Sequence, residues 1–141
     1  MRVMVDTNIL VSAALFRNGH VSSTLKEIMS RYSLCICAFS LEELFIVFER
    51  KFKHKRSDLD EFLRQLSYEL IYSPLEIDKT GLPLIRDEKD YPILVSAIDA
   101  DIDVIVSGDK DFSRVDCERP EILTPLRFRE CYLPHLKGGG V

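Results

Sequence analysis

Asp6-Thr7-Asn8 follows directly on the apolar run Val3-Met4-Val5, so a carboxylate stands where a buried strand would run out of sheet. Three more acids stand in comparable places. Glu43 opens a helix after Leu34–Phe39, Asp90 opens one at Asp90-Tyr91-Pro92, and Asp109 follows the strand-like Val104-Ile105-Val106-Ser107. Four carboxylates at element ends suit a hard divalent cation such as Mg²⁺ or Mn²⁺. Such ions take oxygen ligands, keep several waters and complete their shell with substrate phosphate. Each acid also has an ordinary explanation. Asp6 suits an Asx-turn, Glu43 a capping box begun by Ser40, Asp90 an N-cap ahead of Pro92, and Asp109 a plain turn within Ser107-Gly108-Asp109-Lys110-Asp111. Jointly the metal reading is preferred, because like charges gathered at one sheet edge are tolerated mainly when a cation sits among them.

The elements that must position these acids follow from the apolar pattern. Val3–Val5 is short, rich in β-branched residues and without polar alternation, as in a strand buried on both faces. Asn8–Phe16 carries a mostly apolar face that Arg17-Asn18-Gly19 ends. Ser22 or Ser23 is predicted to cap a helix over Thr24–Arg31, with Leu25, Ile28 and Met29 at helical spacing. Leu34–Phe39 is the second strand, and the helix capped by Ser40 puts Leu44, Val47 and Phe48 on one stripe. A further amphipathic helix is expected over Leu59–Ile71, with Phe62, Leu63, Leu66 and Leu70 inward. Pro74–Leu84 is a connector with one short strand near Leu75–Ile77. A helix over Pro92–Ala100, strands at Val104–Ser107 and Glu121–Leu123, and a helix over Thr124–Cys131 complete a single domain of residues 1–133. Pro134 and Gly138–Gly140 mark a loose tail over 134–141.

Strands alternating with helices predict a doubly wound α/β domain with a central parallel sheet. In such sheets the site lies beyond the carboxyl ends of the strands, where the strand order switches. Asp6 and Asp109 stand at two such ends.

Composition bounds the possibilities. With 141 residues, 46% of them hydrophobic, the chain has material for one domain with its own core. Six Gly, six Pro and 30% charged residues describe an ordered protein rather than a fibre or tail. A formal charge of −4 argues against a simple basic-surface binder of nucleic acid. Bound cations among the acids would, however, turn the local field positive. The run Val3–Phe16 carries Asp6 and Asn8 and is too short for a membrane span or a secretion signal, so a cytoplasmic protein without membrane association is expected. The four cysteines have no C-x-x-C spacing and His20, His54 and His135 form no cluster, so neither structural zinc nor a histidine-based nuclease fits. Buried, reduced thiols are expected, with Cys35 and Cys37 on one strand face.

The stretches Val5-Asp6-Thr7-Asn8-Ile9-Leu10-Val11-Ser12, Ser40-Leu41-Glu42-Glu43-Leu44, Asp87-Glu88-Lys89-Asp90-Tyr91-Pro92-Ile93-Leu94 and Val104-Ile105-Val106-Ser107-Gly108-Asp109-Lys110-Asp111-Phe112 come in an informative order and spacing. Together they resemble the PIN-domain family, in particular its bacterial and archaeal toxin components of toxin–antitoxin systems. The resemblance runs from residue 1 to residue 131. It implies a PIN-like three-layer α/β/α domain and an Mg²⁺- or Mn²⁺-dependent endoribonuclease acting on single-stranded RNA, with an antitoxin protein as partner. It also implies that Asp6, Glu43, Asp90 and Asp109 are the catalytic and metal-binding acids, supported by Asn8, Ser107 and Asp111. Ser107 stands where the family often has Thr and still supplies a hydroxyl. Glu43 is preferred to Glu42 for its spacing from Leu44 and from Arg50-Lys51.

The run Arg50-Lys51-Phe52-Lys53-His54-Lys55-Arg56 is the one dense basic patch. Arg50 lies two turns beyond Glu43 on the same helical face, so Arg50 and Lys51 are the candidates for gripping RNA phosphates. The plainer alternative is a solvated helix end whose cations suit the dipole. Phe16, Phe39, Phe45, Phe48 and Phe62 are assigned to core or dimer surface rather than to base stacking, and a homodimer is expected from the number of apolar helices. Two other classes compete: a catalytically silent PIN-like RNA- or protein-binding module, against which the intact acid set argues, and a phosphoaspartate α/β protein, for which Lys110 is the only candidate lysine.

Overall fold

Both faces of the central strands are apolar, and the structure uses both. A computed structural model describes residues 1–136. In β1 (Arg2–Val5), Val3 and Val5 point to one side and Met4 to the other, all fully buried. β2 (Ser33–Cys37) divides Leu34 and Ile36 from Cys35 and Cys37 in the same way. β3 (Glu69–Ile71), β4 (Val104–Val106) and β5 (Glu121–Leu123) complete five parallel strands in the order β3-β2-β1-β4-β5. Val3 pairs with Leu34 on one side and Val104 on the other. The pleat sends alternate side chains to opposite faces, so a sheet of this kind requires a helix layer on each.

One layer consists of α1 (Thr7–Leu15), α2 (His20–Arg31), α3 (Ala38–Lys51) and α4 (Arg56–Gln65). They bring Leu10, Leu25, Ile28, Leu44, Phe48 and Leu59 onto Val3, Val5 and Ile36. The other layer holds α5 (Asp90–Asp99) and α6 (Lys110–Ser113), which set Tyr91, Leu94, Ala97 and Phe112 against Met4, Cys35 and Ile105. The last helix, α7 (Pro125–Tyr132), joins the first core through Phe128 and is capped as its sequence suggests, with Thr124 accepting from Arg127 N–H and Pro125 at its start. The arrangement is a three-layer α/β/α domain with a central parallel sheet.

Several local expectations are corrected. β2 passes straight into α3, so Cys37, not Ser40, holds the cap position, and Phe39 is already helical. Ser40 is carried into the buried third position, where its Oγ lies 3.2 Å from Cys37 Sγ, and no capping box forms. Helix α2 likewise starts earlier, at His20 behind Gly19, and buries Ser22 inside it. The helix expected over Leu59–Ile71 stops at Gln65, and its last residues become the edge strand β3, pairing Cys35 with Glu69 and Cys37 with Ile71. Leu70, placed inward by helical spacing, is 42% exposed. A short apolar run does not distinguish helix from strand by period, and here pairing to the sheet edge decided it.

No strand forms at Leu75–Ile77. Residues 72–89 cross as irregular chain, turning at Gly81 with φ 79°, a value that favours glycine. Two cysteines, Cys35 and Cys37, are buried on one face, but Cys117 is half-buried and Cys131 exposed. Among the phenylalanines, Phe48 and Phe62 are core, Phe39 and Phe45 are half-buried, and Phe16 is 65% exposed. Of the expected tail, Pro134–Leu136 forms a 3-10 turn, and 137–141 lie outside the described residues. Among the described residues no helix is long and apolar enough to cross a membrane.

Candidate metal centre

The strand order reverses between β1 and β4, and the first residues beyond those strands are Asp6 and Ser107. Asp6 caps α1, its Oδ1 accepting from Ile9 N–H at 3.0 Å, while its Oδ2 accepts from the Ser107 hydroxyl at 2.5 Å. The same hydroxyl oxygen accepts from Asp109 N–H at 3.0 Å. One fully buried serine therefore ties the ends of β1 and β4 together. Asp109 caps α6, its Oδ1 accepting from Asp111 N–H at 2.8 Å. The turn and cap roles that offered ordinary explanations for Asp6 and Asp109 are thus both realised. They coexist with a gathering of charge that turns do not require.

Asp90 is different. It is the first helical residue of α5, with Lys89 in the cap position, and its own N–H donates to Asp87 O at 3.0 Å. Burial raises its carboxyl, and the like charges of Asp109, Asp87 and Asp6 push it further, to about 7. No hydrogen bond offsets these effects. Asp6 is also raised, because burial outweighs its bonds to Ser107, Ile9 and Gly108, with Asp109 adding repulsion. One carboxylate oxygen each from Asp87, Asp90 and Asp109 lies within 4.8 Å of the others. The structure thus gathers Asp87, Asp90 and Asp109, with Asp6 coupled to Asp90 and Asp109 through charge.

Asp87 is the acid that the sequence reading passed over. Its signal is the spacing Asp87-Glu88-Lys89-Asp90, which a single turn folds so that both carboxylates face one place. That turn is held by Lys89 N–H on Asp87 Oδ1 at 3.0 Å.

Glu43 sits half-buried on α3, its Oε2 4.0 Å from Lys89 Nζ, so it stands beside the start of α5 but outside the group of three oxygens. Glu42 is exposed, which favours Glu43 of the two. Asn8 is exposed and bonds none of the acids; its Cβ lies against Gly108. The carboxylate of Asp111 pairs outward with Arg86, so what orients Asp109 is the Asp111 backbone N–H. Arg86 was likewise missed. Its guanidinium is held protonated by Asp111, with Asp109 and Asp87 contributing, and it forms a cationic rim to the cluster. Arg50 and Lys51 are exposed at the end of α3, Arg50 about 10 Å along the axis from Glu43. A recess of about 430 Å³ between α1, α2 and α4, lined by Ala13, Arg17, Leu25 and Phe62, lies apart from these carboxylates.

Oxygen-only donors, no histidine or cysteine among them, and an Asp90 carboxyl that no hydrogen bond or cation compensates fit a hard divalent ion such as Mg²⁺ or Mn²⁺.

Fold and site together define a class: parallel α/β/α domains that gather acids where β1 and β4 part. The chain belongs to the PIN domain family, whose profile matches residues 2–111. Among solved structures it is similar to VapBC2 from Rickettsia felis, crystallised bound to a DNA fragment from its promoter. There the TM-score is 0.64 at 25% identity, covering 87% of this chain and 97% of that one. DNA-bound VapBC from Salmonella typhimurium is similar with a TM-score of 0.60 at 20% identity, covering 88% and 96%, a likeness of fold alone. No curated protein matches the sequence.

Proposed function

We propose that this chain is a divalent-metal-dependent endoribonuclease cleaving single-stranded RNA, and the toxin of a toxin–antitoxin pair. The observation that carries this reading is the convergence of Asp87, Asp90 and Asp109, backed by Asp6, at the switch point of a PIN fold. Asp90, Asp109, Asp6 and Asp87 would hold Mg²⁺ or Mn²⁺, and Glu43 would complete the set. When bound, such an ion supplies an activated water and neutralises charge on the scissile phosphate. Ser107 keeps Asp6 and Asp109 fixed relative to each other, so the acids are ordered before substrate arrives. Glu43, restrained only by its long contact to Lys89, is the carboxylate suited to take a proton from the attacking water at Oε. Arg86 and Lys89 would meet phosphates at the rim, and Arg50 and Lys51 phosphates further along α3. An antitoxin partner is proposed from the VapBC complexes among the similar structures, a homodimer from the apolar helices, and a cytoplasmic site of action from the RNA substrate.

The test is cleavage of end-labelled single-stranded RNA with Mn²⁺ by wild type and Asp6→Asn, with EDTA as control. Cleavage by wild type alone, abolished by EDTA, is the expected result. Equal cleavage by Asp6→Asn would refute the assignment. Mn²⁺ raising the melting temperature of wild type without cleavage would leave a metal site with another substrate. Neither effect would favour the silent RNA- or protein-binding module.

A further inference from the structure

We propose that a hollow on α3 is a subsite for one unpaired nucleobase of the RNA, its floor Phe45 and Ile46 and its rim Arg50, Arg56 and Glu49, the last paired with Lys53. This rests on the ribonuclease reading, whose substrate path it extends. The hollow is an open depression of about 360 Å³ whose exposed surface is mostly apolar, between charged side chains. Glu43, Ile46 and Arg50 stand at i, i+3 and i+7, so acid, apolar floor and cation share one face of the helix. Ile46 lies about 4.5 Å and Arg50 about 10 Å beyond Glu43 along the axis. A single strand leaving the acids along α3 therefore meets Ile46 and Arg50, the near side of the hollow, and must turn round the helix to reach Phe45 on its far side.

The chemistry of the hollow selects an unpaired base. Phe45 and Ile46 are both half-buried, which leaves apolar surface facing water on an otherwise charged helix end. Arg56 lies over the Phe45 ring, its Cζ 5.5 Å from the centroid, so the ring already takes part in a cation–π contact. Bases stack on aromatic and guanidinium planes whatever their identity, and only a single strand offers such faces freely. The surrounding charge complements phosphate. The segment 50–56 holds five Lys and Arg residues; Lys53 pairs with Glu49 and Arg56 with Asp60, while Arg50, Lys51 and Lys55 face no carboxylate within ion-pair distance among the described residues. Phe45, assigned from sequence to core or dimer surface, packs inward only in part.

The experiment measures binding of a labelled single-stranded oligoribonucleotide, its abasic analogue and an RNA duplex by fluorescence anisotropy in EDTA. Wild type is compared with Phe45→Leu, Arg56→Gln and Arg50→Gln, with Mn²⁺ cleavage and sedimentation run in parallel. Phe45→Leu and Arg56→Gln are expected to weaken single-strand binding about tenfold while leaving abasic and duplex binding unchanged. Arg50→Gln is expected to lower the salt slope by about one. Arg56 is exposed, so Arg56→Gln keeps the test valid should Phe45→Leu fail to fold. Unaltered binding in both stacking variants, with wild type still cleaving, would overturn the subsite and leave the ribonuclease standing. A wild type that neither binds nor cleaves would overturn both. A change in mass on substitution would overturn the subsite in favour of a second copy covering the hollow.

Discussion

Replacing Asp90 by Asn should make the metal-free protein more stable at pH 8, and by only about a third as much at pH 5. In the folded chain the Asp90 carboxyl titrates near 7, against an ordinary 3.8, because it is buried among Asp109, Asp87 and Asp6. A folded value above the unfolded one means that the fold holds the proton more tightly. Stability from this group is therefore full below about pH 4 and is lost as pH rises through about 7. At roughly 1.4 kcal/mol per pKa unit, the loss comes to about 4.5 kcal/mol. Solvent screening of the partly exposed neighbours reduces it to about 2 kcal/mol. For a chain of this size that corresponds to roughly 6 °C in Tm. The assay is thermal unfolding in EDTA at pH 5 and pH 8 for wild type and Asp90→Asn, repeated with Mn²⁺. Asp90→Asn should close the pH 8 gap in part only, since burial also raises Asp6. Mn²⁺ should stabilise wild type, by about 2.7 kcal/mol at a hundredfold excess over Kd, and should stabilise Asp90→Asn far less. An equal difference between the two proteins at pH 5 and pH 8, or a less stable Asp90→Asn at pH 8, would refute the argument. The lowered carboxyls of Glu27, Glu61, Glu69, Asp78 and Asp103 act below the ordinary carboxylate range and do not enter this window.

Two further outcomes follow from the same geometry. Ser107→Ala removes the hydroxyl shared by Asp6 and Asp109 and should lower stability by about 1–3 kcal/mol in urea titration, with Ser107→Thr largely restoring it; no loss in Ser107→Ala would show that the bridge is dispensable. Asp87→Asn should weaken the Mn²⁺-induced rise in Tm more than Glu42→Gln does, and equal effects would remove Asp87 from the ion-binding group.

The strands β1, β2 and β4 were legible because their apolar runs are buried on both sides, which only a layered parallel sheet provides. Asp6 and Asp109 were legible for a related reason: a carboxylate placed directly after such a run has to emerge at the sheet edge. β3 was not. Phe62, Leu63, Leu66 and Leu70 keep a helical spacing, and only pairing with Cys35 and Cys37 turns Glu69–Ile71 into a strand. Ser40 failed as a cap because nothing local shows that β2 enters α3 without a turn. Asp87 was hidden inside an irregular connector, where period says nothing about which way a side chain faces. Asn8 and Asp111 had suitable types and spacing, but Asn8 faces solvent and Arg86 draws the Asp111 carboxylate outward.

Asp6 and Ser107, joined by one hydrogen bond, are separated by 101 residues of chain. A polypeptide emerging from a ribosome at about 5–20 residues per second carries Asp6 for roughly 5–20 s before β4 and Asp109 exist to meet it. During that interval the only strand that can pair with β1 is β2, with β3 on its far side, and the acids cannot converge. The chain is thus made without its acid centre, and acquires it only once β4 and Asp109 have followed β1 by about a hundred residues.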